Sequence, residues 1–107
     1  MMKKILSIDT SNSKQIQVSL TIGKTVYSHS SDATALKSQI VLLLISKILD
    51  ENKLKPEDLT QIEVNLGPGS FTGIRVGVSV ANTLGTFLKI PVNNKKVGDL
   101  VEPLYNN

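Results

Sequence analysis

The segment Gly67-Pro68-Gly69-Ser70-Phe71-Thr72-Gly73-Ile74-Arg75-Val76-Gly77 packs four glycines and a proline into eleven residues, between two apolar runs. Glycine opens backbone conformations closed to other residues and proline fixes φ, so at this density the path of the chain is itself specified. Such a loop either cradles an anion or lets two elements approach closely. In both cases a strand ends before Gly67 and a new element starts at about Ser70.

The rest of the chain supplies the partners for that turn. Lys4-Ile5-Leu6-Ser7-Ile8-Asp9 is a short apolar run closed by the turn formers Asp9-Thr10-Ser11-Asn12-Ser13, and it reads as a buried strand. From Gln15 to Ile22 polar and apolar residues alternate without a fault, the mark of a strand with one buried face. Gly23-Lys24 turns the chain into a third strand at Thr25-Val26-Tyr27-Ser28. Ser30-Ser31-Asp32 suits the cap of a helix over Ala33–Asn52, apolar on all sides from Ile40 to Ile45, so that it meets a second apolar surface besides its sheet. Ile62-Glu63-Val64-Asn65-Leu66 reads as a strand before the glycine loop, and Ile90-Pro91-Val92 as a short last strand. The tail from Lys95 suits one or two helical turns around Val97, Leu100, Val101 and Leu104. Strands separated by helices argue for an α/β fold with parallel pairing in the second half.

Phe71–Lys89 carries two patterns. Ile74, Val76, Val78 and Val80 alternate as in a strand, whereas Gly73, Gly77, Ala81 and Gly85 recur every four residues as one smooth ridge on a helix. Its length favours the helix. Interior glycines cost such a helix about 1 kcal/mol each relative to alanine, so close packing along the ridge must compensate.

Composition narrows the function. With 107 residues there is room for one domain, 1–107. The absence of cysteine excludes disulfides and thiolate sites, and one histidine, His29, excludes a histidine-paired metal site. Twelve basic against nine acidic residues, with Lys95-Lys96 the one basic pair near the C-terminus, give little support to direct nucleic-acid binding. No run approaches the roughly eighteen apolar residues of a membrane span, and Ser7 and Asp9 break up the apolar start of a signal peptide, so the expected compartment is the cytoplasm.

Two turns could carry chemistry if their strands are parallel neighbours: Asp9-Thr10-Ser11, and Gly67-Pro68-Gly69-Ser70 with Ser70 as helix cap. Together Asp9, Ser11, Gly69, Ser70 and Arg75 form a candidate anion or nucleotide contact, although the Lys-Ser/Thr ending of a Walker loop is missing. Arg75 opposes the dipole at the start of its helix and therefore needs a partner: a bound anion, Asp9, or a carboxylate on another chain. The plainer role for Asp9 is to cap its own loop. No G-x-S-x-G elbow is present, and Ser11 and Ser70 have no base nearby in sequence.

Ile5-Leu6-Ser7-Ile8-Asp9-Thr10-Ser11, together with the stretch from Gly67 to Gly77, resembles the TsaB (YeaZ) family over about Lys3 to Val92. The resemblance implies one lobe of the actin-like, ribonuclease-H-like ATPase architecture. Its mixed sheet would have five strands, the first three antiparallel and the first, fourth and fifth parallel, and Phe71–Lys89 would be a helix. It implies a non-catalytic subunit that binds TsaD, the metal-carrying threonylcarbamoyltransferase that acts on adenosine 37 of tRNA. A TsaE-type ATPase joins the complex, tRNA is met only indirectly, and self-association through a related surface is a further expectation. The implied docking elements are the two helices, through Leu36, Ile40, Leu43, Leu44, Gly73, Val76, Gly77, Val80, Ala81 and Leu84, so that Gly77→Leu should abolish docking. The chain is expected to hold no cofactor or metal of its own, with ATP or ADP only at the shared interface, and the second lobe usual in the family is expected to be missing after Asn107. The alternative expectation is a single-lobe nucleotide- or anion-binding enzyme built on the Gly67–Ser70 loop.

Overall fold

The computed structural model describes residues 2–33 and 36–104. Its elements run β1 (Lys4–Asp9), β2 (Gln15–Ile22), β3 (Thr25–Asp32), α1 (Lys37–Glu51), a 3-10 turn (Pro56–Asp58), β4 (Gln61–Val64) and α2 (Phe71–Leu88). The sheet order is β3-β2-β1-β4, with β1–β2 and β2–β3 antiparallel and β1–β4 parallel. The alternation read from the sequence sorts the two faces: Leu6, Ile8, Ile16, Val18, Leu20, Ile62 and Val64 are buried under the helices. Against them pack Val41, Leu44, Ile45 and Ile48 of α1 and Ile74, Val78 and Ala81 of α2. The opposite face is polar, and a shallow cleft of about 390 Å³ there is lined by Ser7, Asp9, Gln17, Ser19, Glu63 and Asn65, among others.

Three expectations about elements need correction. Ser30-Ser31-Asp32 does not cap α1 but completes β3, because the eight residues of β2 pair along their whole length, Gln15 with Asp32. The amide of Ala33 prolongs the ladder by donating to Lys14 O (2.9 Å). The helix starts at Lys37 behind Leu36, which takes φ 59° and offers no side-chain cap. Thr34 and Ala35, inside the expected helix, lie outside the described residues.

The fifth strand is reduced to one parallel bridge between Ile62 and Val92, so the sheet has four strands. Ile62 N–H donates to Pro91 O and Asn93 N–H to Ile62 O, but Pro91 has no amide to extend the ladder. Asn93 and Asn94 then turn the chain away at φ 52° and 63°. The Asn93 side chain takes over the missing rung: its Oδ1 accepts from Val64 N–H (2.8 Å) and its Nδ2 donates to Val64 O (3.1 Å).

The tail from Lys95 to Leu104 is not helical. Only Val101 of its apolar residues is buried, whereas Val97, Leu100 and Leu104 are exposed. Asn82 of α2 holds both polar groups of Val101, donating to its O (2.9 Å) and accepting from its N–H (3.0 Å), and Leu104 N–H donates to Leu66 O (2.7 Å). This strap makes a single turn, Asp99 N–H donating to Lys96 O (3.0 Å), and no helix. Tyr105–Asn107 lie outside the described residues.

Candidate functional site

The turns after β1 and β4 do meet at the carboxyl edge of the sheet, as parallel pairing requires. Asp9 Oδ1 accepts from Ser11 N–H (2.9 Å) and Ser11 Oγ (2.6 Å), and Asp9 Oδ2 from Asn65 Nδ2 (3.2 Å). Asn65 Nδ2 also reaches Ser11 Oγ (3.2 Å), and its Oδ1 accepts from Gly67 N–H (2.9 Å). One asparagine thus ties both turns together. Burial of Asp9 acts to raise its pKa, but the Ser11 hydroxyl, the Ser11 amide and the Asn65 amide favour the carboxylate and outweigh it. The group is therefore held below the ordinary carboxylate value. Asp9 caps its own loop.

The glycine loop fits onto this hub by close approach. Gly67–Pro68 is a cis peptide, and Gly67 takes φ 108°. Ser70 N–H donates to Ser11 O (2.7 Å), and a Cβ on Gly69 would come within 2.5 Å of that same oxygen. Ser70 Oγ accepts from Gly73 N–H (3.2 Å) and caps α2 as the sequence predicted. The structure therefore brings Asp9, Ser11, Gly69 and Ser70 together. Arg75 is not among them.

Thr10, the one buried polar residue among those described, lies in the Asp9-Thr10-Ser11 turn but is not one of the residues the sequence singles out for the site. Its hydroxyl donates to Gly73 O (2.5 Å), and added Cβ atoms at Gly73 and Gly77 would overlap Thr10 O and Thr10 Oγ1. Ala81 is fully buried and Gly85 lies against Val92. The small-residue ridge is thus real, but it faces this chain's own sheet. Gly73, Gly77 and Ala81 cannot touch a docking partner, nor can Leu44, which lies in the core. These four docking assignments are corrected, and with them the reason for expecting Gly77→Leu to act on docking. A hydrophobic four-residue repeat fixes which residues share a stripe but not which way the stripe turns.

The outward surface of the two helices is a different set. Leu36 just ahead of α1, Leu43 of α1 and Phe71 and Phe87 of α2 are exposed, Leu43 at 69% and Phe87 at 80%. Ile40, Val76, Val80 and Leu84 lie half-buried beside them. The helices run side by side in one direction: Ser38 shares a groove of about 380 Å³ with Phe71, Thr72, Arg75, Val76 and Val80, while further along Ile45 and Leu49 share a pocket of about 240 Å³ with Leu84. Arg75 stands at the start of this apolar band with its guanidinium 5.5 Å from the Phe71 ring centroid, and among the described residues it makes no ion pair. His29 is partly exposed on β3 and binds Glu51 Oε1 (2.5 Å). Among the described residues no three His, Cys, Asp or Glu side chains gather as metal ligands, and no helix is long and apolar enough to cross a membrane.

Comparison with known proteins agrees with this architecture. Residues 24–94 match the family model for TsaD, tRNA N6-adenosine threonylcarbamoyltransferase. Among curated proteins, the tRNA threonylcarbamoyladenosine biosynthesis protein TsaB of Buchnera aphidicola (Schizaphis graminum) is 36% identical over 82% of this chain and 41% of its own length. TsaB of Bacillus subtilis is 33% identical over 95% of this chain and 49% of its own, and TsaB of Escherichia coli 30% identical over 83% and 38%. A solved Pseudomonas aeruginosa protein described as similar to peptidase YeaZ superposes with a TM-score of 0.80 at 31% identity, covering 85% of this chain and 42% of that one. The chain spans about half the length of the curated relatives it matches or less.

Proposed function

This chain belongs to the TsaB (YeaZ) family, matching an N-terminal part of it, and from that membership we propose that it is a non-catalytic subunit that binds a TsaD-type protein and so supports threonylcarbamoyl transfer to tRNA. The observation that carries the reading is the outward apolar surface of the helix pair: Leu36 just ahead of α1, Leu43 and Phe87 are exposed, and Ile40, Val76, Val80 and Leu84, which pack on the core, keep part of their surface outward beside them. It is a helix-pair surface of the kind that packs ridges into the grooves of another helix pair. In this reading a TsaE-type ATPase joins the assembled pair in the cytoplasm, tRNA is met only through the partner, and the same band serves self-association when the partner is absent. The chain holds no resident cofactor, and ATP or ADP binds only where the partner completes a site.

The carboxyl-edge hub supports the non-catalytic part of the proposal. Both oxygens of Asp9 are engaged by Ser11 and Asn65, and Ser70 Oγ is engaged as the helix cap, so the loop's polar groups are spent on holding the two turns together. The test is co-elution of the 107-residue chain with the TsaD-family protein of its own organism in size-exclusion chromatography. A stable complex supports the reading. Independent elution at micromolar concentrations contradicts it.

A further inference from the structure

Arg75 is the only charged residue among the eighteen of α2. It sits in the helix's second turn, where the dipole disfavours a cation, and neither α1 nor α2 has an acidic residue in its first turn. Lys37 opens α1 at the same end of the pair, so this end of the apolar band combines two cations with two positive helix termini. Glu102 borders a depression shared with Arg75 but makes no ion pair with it. The Phe71 ring braces the guanidinium at the lip of the groove formed with Ser38, Thr72, Val76 and Val80.

From this arrangement we propose that Arg75 is a specificity-determining anchor of the docking face, taking a carboxylate presented by an apolar helix of a different protein. The inference rests on the docking reading above. A guanidinium at the rim of an apolar groove selects a bidentate carboxylate and penalises a partner without one, because its donors are then covered unpaired. A second copy of this chain fits less well. On α1 the carboxylate that shares a pocket with the band is Asp50 at its far end, one helical turn from Lys47, so self-pairing through α1 would bring a cation to Arg75 together with the acid. Two copies would also each carry a net charge of +3.

The experiment is calorimetric titration of the organism's TsaD-family protein with the wild-type chain, Arg75→Gln, Arg75→Glu and Asp50→Asn, each at 50 and 300 mM NaCl, with sedimentation of each chain alone. Arg75 is exposed, and unchanged thermal melts will verify the folds. The expected result is a roughly tenfold loss for Arg75→Gln and a larger loss for Arg75→Glu, a salt dependence reduced in both, and no effect of Asp50→Asn. An Asp or Glu→Arg change on the partner should then restore binding to Arg75→Glu. Wild-type binding that all variants share equally overturns the anchor and leaves docking intact. No wild-type binding overturns the docking reading and the anchor with it. Effects confined to self-association, shared by Arg75 and Asp50 variants, replace the foreign helix with a second copy and overturn the proposal.

Discussion

Thr10 and Gly77 meet with no room between them: a Cβ at position 77 would overlap Thr10 Oγ1, and that oxygen is itself held by its bond to Gly73 O. The β1 turn and α2 are thereby locked at a distance that only glycine permits.

Gly77→Ala should therefore destabilise the fold even though alanine is the better helix former. The propensity gain is about 1 kcal/mol, whereas overpacking against an anchored hydroxyl costs about 1–3 kcal/mol. A net loss of several degrees in Tm is expected for Gly77→Ala and failure to fold for Gly77→Leu, measured by thermal circular dichroism. A raised Tm for Gly77→Ala would show that Thr10 yields without cost.

Thr10→Val keeps the shape and removes the donor to Gly73 O. A loss of about 1 kcal/mol is expected from denaturant unfolding, with an unchanged m-value. No loss would mean that the hydroxyl contributes nothing beyond its volume.

Asp9 sets an acid limb. Its pKa is lowered in the folded chain, so its contribution is fully present above the ordinary carboxylate value and disappears as pH falls through the lowered folded one. Wild type should exceed Asp9→Asn in Tm at pH 7, and the gap should close below about pH 4. A gap of constant size down to pH 2.5 would remove Asp9 ionisation from the account.

Asn82→Leu should free the strap. The Val101 N–H and C=O would lose their partner, at a cost of about 1–3 kcal/mol, and amide exchange at Val101 should accelerate, as read by hydrogen exchange. Unchanged protection at Val101 would show that its burial alone holds the strap.

What could be read in advance follows from which forces leave a pattern. The alternation of Gln15–Ile22, the cap at Ser70 and the length of Phe71–Leu88 are periodic or local signals, and each became the expected element. Ser30-Ser31-Asp32 misled because a full-length ladder with β2 overrides a cap preference. The hub and the strap depend on Asn65, Asn93 and Asn82, whose amides stand in for backbone rungs across long sequence separations. A side chain that replaces a rung leaves no repeat to detect. The small-residue ridge was legible as a ridge, but its inward direction shows only in what it meets, Thr10 at Gly73 and Gly77 and Val92 at Gly85.

Docking through the outward band is tested most directly by titrating the organism's TsaD-family protein with the wild-type chain and with Val80→Glu, a half-buried change on the outer face of α2. Saturable one-to-one binding by wild type is expected, weakened at least a hundredfold in Val80→Glu while Gly73, Gly77 and the core keep the fold melting as a single transition. Equal binding by a folded Val80→Glu chain, or none by wild type, would contradict it.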